Sequence, residues 1–250
     1  MNPLLERFTV CEIHTLCPSD FGSEGECRHM SVFDVLKQYH EALWSGLEVT
    51  MLMCAYIWGF GLFAGALLGV AGAKWQAFVG IPARAISFVL SSVPALVFLF
   101  WLHYPVQYQL QIRIDPFVTG TFLLAMLNTF FVSDVVRGAI TEFPKQYVLA
   151  AKVCGLTSNV ITWHIQFPII LRQAIPTLLL LQVSMLQATL FTSFISVPEI
   201  FRVAQRINSD ACRPVEVYTA VGVFFLLVCL PLNAIAIWLR RKFTRDLSEV

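Results

Sequence analysis

Asp134 is the residue whose position most invites chemistry. It lies at the edge of a long apolar run, within an expected span, and a carboxylate at membrane depth is costly enough to mark a functional site by default. Two roles are open to it. Facing a cavity, it would favour the ammonium of an amino acid or a cationic side chain. Turned along its own helix, it would pair with Arg137, one turn further on. A second constellation runs from Phe143 through Pro144, Lys145, Leu149, Ala150, Ala151 and Gly155 to Ile165 and Pro168. Pro144 suits a first helical turn, the paired alanines are strong helix formers with almost no side chain, and Gly155 is the expected left-handed stop. Thr157 or Ser158 would cap a second short helix ending near Pro168. Two short helices joined at a glycine would form a compact knob able to fit a groove in a partner. The chain has no Gly-x-x-x-x-Gly-Lys-Ser/Thr phosphate loop, so it brings no ATP chemistry of its own. No catalytic residue and no metal site are expected.

The elements that hold these residues follow from the distribution of charge. The sequence has 250 residues, 57% apolar and 13% charged, with a mean hydropathy of +0.71. A soluble domain carries about a quarter charged residues, so an ordinary cytosolic globule is excluded. With 17 Lys and Arg against 16 Asp and Glu, disorder and nucleic-acid binding are excluded as well. Charge-free runs of 18 to 28 residues occupy 49–73, 85–112, 116–133, 173–198 and 217–239, and each can cross a hydrocarbon core about 30 Å thick. The expected spans are 48–73, 85–105, 116–136, 173–196 and 217–239. The uncharged run 153–171 is too rich in Thr, Ser, Asn, His and Gln for lipid, and is expected to be interfacial or covered by protein.

Five spans place the termini on opposite faces. An external N-terminus makes 74–84, 137–172 and 240–250 cytoplasmic, which gathers ten of the seventeen basic residues there, including the cluster Arg240, Arg241 and Lys242. The tail 1–40 is then periplasmic. It shows no cleavable signal, so the first span is expected to act as the anchor. Cys11, Cys17, Cys27 and Cys212 fall on the exported side, either as disulfide partners or as incidental thiols, whereas Cys54 and Cys229 are expected to be small apolar residues within spans.

The spacing Ala150, Ala151, Gly155, Ile165 and Pro168 resembles the cytoplasmic loop of ABC importer permeases. Asp134 to Ile140, Phe143 to Lys145, Leu171 to Pro176 and Val197 to Ile200 followed by Ala204 and Gln205 resemble the polar amino-acid branch, the histidine/glutamine permease type. The match runs from about residue 42 to 245. The resemblance implies an all-α, five-span type I permease fold, with 41–250 as the transmembrane domain and 137–172 as its coupling loop. It also implies a dimer, ATP-binding subunits that hold ATP and Mg, a periplasmic substrate-binding protein and a bacterial inner-membrane location. Coupling would run through Leu149, Ala150, Ala151, Gly155, Ile165 and Pro168, with closure of the two ATPases moving the loops.

Several positions depart from the family pattern. Its glutamate before the alanines is Leu149 here. An Arg-Gly-Thr-Pro stretch stands as Ser91, Ser92, Val93 and Pro94, and a Lys-Asp-Thr-Ser stretch as Gln187, Ala188, Thr189 and Leu190. The resemblance thus places Asp134, Phe130, Phe131, Ser91, Ser92, Gln187 and Thr189 at the cargo site. The first two stretches of hydroxyls and amides either bond cargo or join helices. A cargo carboxylate is expected to find no cationic partner in this chain, which suggests one half of a heterodimer. The function expected is ATP-driven import of an amino acid, with basic amino acids favoured through Asp134. The alternatives are a secondary transporter or channel using Asp134, and a non-transporting partner subunit. Glu199, Arg202 and Arg206 are expected on one face of a surface helix that either receives the binding protein or is solvated. Pro94, Pro176, Pro198 and Pro231 are candidate kinks.

Overall fold

The longest apolar run forms α1 (His40–Lys74), and its packing explains why the bundle holds together. Glycines stand every fourth residue at Gly61, Gly65 and Gly69, and so share one helical face. Against that face lies α4 (Pro116–Thr141). A Cβ on Gly61 would stand 2.3 Å from the Asn128 amide nitrogen, one on Gly65 2.7 Å from the Thr129 carbonyl oxygen, and one on Gly69 2.8 Å from the Ser133 carbonyl oxygen. In lipid, apolar side chains gain little from leaving their solvent, so close backbone approach and dispersion drive helix pairing. Any side chain at these three glycines would hold the helices apart. At the same level Asn128, fully buried, donates to the Ile57 carbonyl (3.0 Å) and exchanges hydrogen bonds with Gln182 (3.0 and 3.2 Å). The amide pair is satisfied from both sides, as a polar group in hydrocarbon requires.

The structure is a computed structural model that describes residues 37–211 and 213–248. The expected tail cysteines Cys11, Cys17 and Cys27, together with Cys212, lie outside the described residues. Among the described residues every regular element is helical. Four helices are long and apolar enough to span a membrane: α1, α4, a continuous helix 158–195, and α8 (Pro214–Ser248). The helix 158–195 opens with an α-helical turn at Ser158–Val160, passes through a π-helical turn at Ile161–Gln166, continues as α6 (Phe167–Ala188) and closes in a 3-10 turn at Thr189–Ile195. The polar run 153–171 is therefore no separate short helix. Pro168 lies inside this continuous helix, directly after the π-helical turn, whose altered hydrogen-bond ladder accommodates a residue without an N–H, so the helix continues through it. Pro176 and Pro231 likewise sit inside continuous helices.

A straight span over 85–105 is not what forms. Helix α2 (Ile81–Ser92) stops at Val93, which is extended (φ −100°, ψ 127°), and α3 (Ala95–Trp101) starts after Pro94. The arm from Gln76 to Ser92 and the arm from Ala95 to Leu110 meet at 95°, so a fifth span exists only if the bent pair is counted as one. The cause is local. Pro94 has no N–H to donate, and its ring drives the preceding residue out of the helical region.

The core lies where the bent pair meets α1, α4 and α6. Met53, Ile57, Leu99, Leu123, Leu124, Leu127 and Ile195 are buried together there. Cys54 and Cys229 are buried thiols packed with Val183 and Leu186 between α1, α6 and α8. Helix α7 (Ile200–Ala211) crosses the other end of α1, where Gly46 lets it approach and Ile200 N–H donates to Thr50 Oγ1 (3.2 Å). Glu199 is not on the exposed face with Arg206. It is fully buried and caps α7, each carboxylate oxygen accepting one backbone N–H, from Phe201 and from Arg202 (both 2.9 Å). Burial pushes its carboxyl up to about 7, and the two N–H bonds only partly oppose this.

Candidate functional site

Asp134 sits on the last turns of α4, where the apolar run gives way to charge. One oxygen accepts from the Arg137 guanidinium at 2.6 Å, and the other accepts from the Ser87 hydroxyl of α2. The helical-turn pairing with Arg137 is thus formed, and a second helix is tied to the same carboxylate. The ion pair also lines a cleft of about 470 Å³ between α2 and α4, with Arg84, Ser87, Ser91, Arg137 and Glu142 around it. Arg137 offers a buried Nε with no hydrogen-bond partner among the described residues. Arg84 makes no ion pair among them either. The cleft therefore carries two guanidiniums and two carboxylates, with unused donors on the cationic side.

Arg84 and Arg137 thus stand beside Asp134 in one cleft of this chain. Arg84, Ser87 and Arg137 join Asp134 and Ser91 in the cleft although they stand outside the expected cargo residues. Arg84 and Ser87 precede the Arg-Gly-Thr-Pro position by one or two turns, on the helical face that also carries Ser91. The i, i+4 spacing of Ser87 and Ser91 was the available signal.

The other expected cargo residues divide. Ser91 lines the cleft, its hydroxyl bonded back to the Ser87 carbonyl (2.8 Å). Ser92 is exposed and bonds the Phe88 carbonyl (2.8 Å). Phe131 packs against the core, and Phe130 is half-buried outside the cleft. Gln187 faces away, into a groove with Phe225, Cys229 and Asn233 of α8. Thr189 is fully buried and donates to the Leu186 carbonyl (2.7 Å). The structure thus brings together Asp134 and Ser91, and separates them from Gln187 and Thr189.

The paired alanines lie on α5 (Lys145–Val153). Gly155 adopts φ +79°, its N–H donates to the Lys152 carbonyl (3.0 Å), and the Leu156 N–H donates to the Ala151 carbonyl (3.2 Å). This double bond pattern ends the helix and turns the chain into the next one. Ala150 is exposed and Ala151 buried, so only one of the pair reaches the surface. Ile165 and Pro168 are half-buried behind it. The exposed side is strongly apolar: Leu149 is 63% exposed, Val153 89% and Trp163 67%. An apolar surface on a polar loop signals a protein partner.

Relatives of the chain are found among known transport proteins. The chain is 28% identical over 204 residues to the octopine transport system permease protein OccM of Rhizobium radiobacter, covering 77% of this chain and 82% of that one. It is 25% identical over 210 residues to the glutamine transport system permease protein GlnP of Escherichia coli (strain K12), covering 80% and 95%. It is 25% identical over 166 residues to the histidine/lysine/arginine/ornithine transport system permease protein HisQ of the same strain, covering 62% and 73%. Among solved structures, an amino acid ABC transporter with histidines superposes with a TM-score of 0.73 at 20% identity, over 83% of this chain and 96% of that one. The inward-facing MetNI methionine ABC transporter superposes with a TM-score of 0.59 at 16% identity, over 83% and 97%. Residues 61–247, from the glycine face of α1 to the end of α8, match the family described as binding-protein-dependent transport system inner membrane component, and the chain belongs to that family.

Proposed function

We propose that this chain is the permease subunit of an ATP-driven importer that carries an amino acid across the bacterial inner membrane, with its N-terminus periplasmic and residues 137–172 cytoplasmic. The supporting observation is the cleft at Asp134. Its volume suits a small solute, and its paired opposite charges suit a zwitterion, with Arg84 and the free Arg137 Nε for the carboxylate and Asp134 and Glu142 for the ammonium. Arg137 and Ser87 already engage both Asp134 oxygens, so the cleft is balanced rather than acidic, and a neutral side chain on the cargo suits it better than a basic one.

The apolar knob around Leu149, Val153 and Trp163 would seat in an ATP-binding subunit that holds ATP and Mg. Because Leu149 replaces the family's glutamate, that contact would be mainly dispersion and apolar burial. A second permease chain would form the opposite wall of the pathway. The heterodimer reading keeps its support from Gln187 and Thr189, which lie apart from the cleft. A homodimer that transports by itself would contradict it.

The test is uptake of labelled amino acids into proteoliposomes holding the assembled transporter and its binding protein, with ion gradients collapsed by ionophores. ATP-dependent uptake that survives collapse supports the importer. Gradient-driven uptake without ATP would instead establish a secondary transporter that uses Asp134.

A further inference from the structure

A second cleft, of about 550 Å³, opens on the adjacent face of α4 and shares Asp134, Gly138 and Glu142 with the first. Its other walls are Arg172, Gln173 and Thr177 of α6 and Arg240 and Phe243 of α8. The chemistry here is not balanced. Asp134 is already engaged by Arg137 and Ser87, which leaves Glu142 as the carboxylate facing two guanidiniums. Among the described residues, Arg172, Arg240, Gln173 and Thr177 make no side-chain hydrogen bond or ion pair, so four unengaged donor groups converge on a cleft whose one uncommitted carboxylate is Glu142.

Depth identifies what would meet them. Arg172 directly precedes the charge-free run 173–198, and Arg240 directly follows the charge-free run 217–239. Both guanidiniums therefore stand where the hydrocarbon core ends and lipid phosphates begin. The exposed Trp238 lies just inside that level, with the Lys242 ammonium 5.0 Å over its ring, a pairing suited to the membrane interface.

We infer that this cleft binds the phosphate of an anionic phospholipid headgroup. Arg172 and Arg240 clamp the phosphate from two helices, Gln173 and Thr177 add neutral donors, and the acyl chains run along the apolar flanks of α6 and α8. The site bridges the two helices at the end of the bundle that also carries α5, so an occupied site would brace them. Nothing in this depends on which cargo is carried.

The test places the assembled transporter in phosphatidylcholine nanodiscs with a minor amount of spin-labelled phosphatidylglycerol or spin-labelled phosphatidylcholine, and compares the motionally restricted fractions. The wild type should retain phosphatidylglycerol over phosphatidylcholine. Arg172→Gln and Arg240→Gln should each lower that preference by up to about fivefold, the factor for one basic side chain at an anionic surface, whereas Arg241→Gln should leave it intact. No preference in the wild type would overturn the site without recourse to any variant. Full preference in the Arg172→Gln/Arg240→Gln double variant would overturn it as well. Displacement by millimolar inorganic phosphate would show a soluble-anion site and overturn the headgroup assignment.

Discussion

The seam between α1 and α4 and the clefts at the far end of α4 are built from the same helix by opposite rules. Along the seam, glycines meet side chains at contact distance, and the amide pair of Asn128 and Gln182 satisfies itself. Five to six residues beyond Asn128, around Asp134, the helices part, charge enters, and guanidinium donors outnumber the acceptors that the chain supplies. A closed seam fixes the helix pair as one rigid unit. Open, under-satisfied clefts leave binding capacity for something else. Rigid-body motion of a transporter needs both features in one element: a stiff lever and a site at its end.

Steric closure of the seam gives the largest expected effect. Gly65→Leu should prevent recovery of monodisperse protein, at a cost above about 3 kcal/mol, because overpacking here meets backbone as well as side chain. Gly59, on the same helix, has open space around it, so Gly59→Leu should purify normally. Equal behaviour of the two variants in a thermal-stability assay would break the comparison. Polar closure comes next. Asn128→Leu should cost about 1–3 kcal/mol, because Gln182 is left buried without its partner. The double variant Asn128→Leu/Gln182→Leu should recover part of that loss. A double variant worse than the sum of the single ones would show that the amides act separately.

Glu199 qualifies the comparison, since it is an acid buried on the well-packed side, where its carboxyl is raised to about 7. Its folded value lies above the ordinary carboxylate value of 4.5, so its contribution to stability is fullest below about pH 4.5 and is lost as the pH rises towards about 7. Hydrogen exchange at the start of α7 should therefore speed up over that interval, by up to about 3 kcal/mol in opening free energy. Glu199→Gln should flatten the profile. A profile unchanged by that substitution would place the titration elsewhere.

Much of this architecture is legible in the sequence because lipid imposes simple demands. Long charge-free runs mark α1, α4, α6 and α8, and Gly155 marks the left-handed end of α5. The break at Val93 was visible as Pro94, yet an apolar run reads as one span until the pre-proline residue is made to leave the helix. The glycine face at 61, 65 and 69 was likewise present as a period of four, but its partner on α4 is specified by fit rather than by pattern. The candidate site was half legible. Asp134 and Arg137 lie one turn apart, but Arg84 and Ser87 reach them only through the fold, 47 residues separating Ser87 from Asp134. Gln187 and Thr189 read as neighbours of a cargo site. Two residues apart on a helix they face opposite sides, so with Gln187 turned to α8 Thr189 points into the core.

The clefts can be separated from the seam functionally as well as structurally. ATP-driven uptake of an amino acid by proteoliposomes carrying Arg84→Gln, measured as KM against kcat beside Asp134→Asn, tests the central claim most directly. If the cleft reads a zwitterion, Arg84→Gln raises KM by about tenfold, the loss expected for one charge-assisted hydrogen bond to a carboxylate, and Asp134→Asn lowers uptake further by releasing α2 from α4. Unchanged KM and uptake in both variants would contradict the account and reduce the Asp134 cluster to a structural tie between two helices.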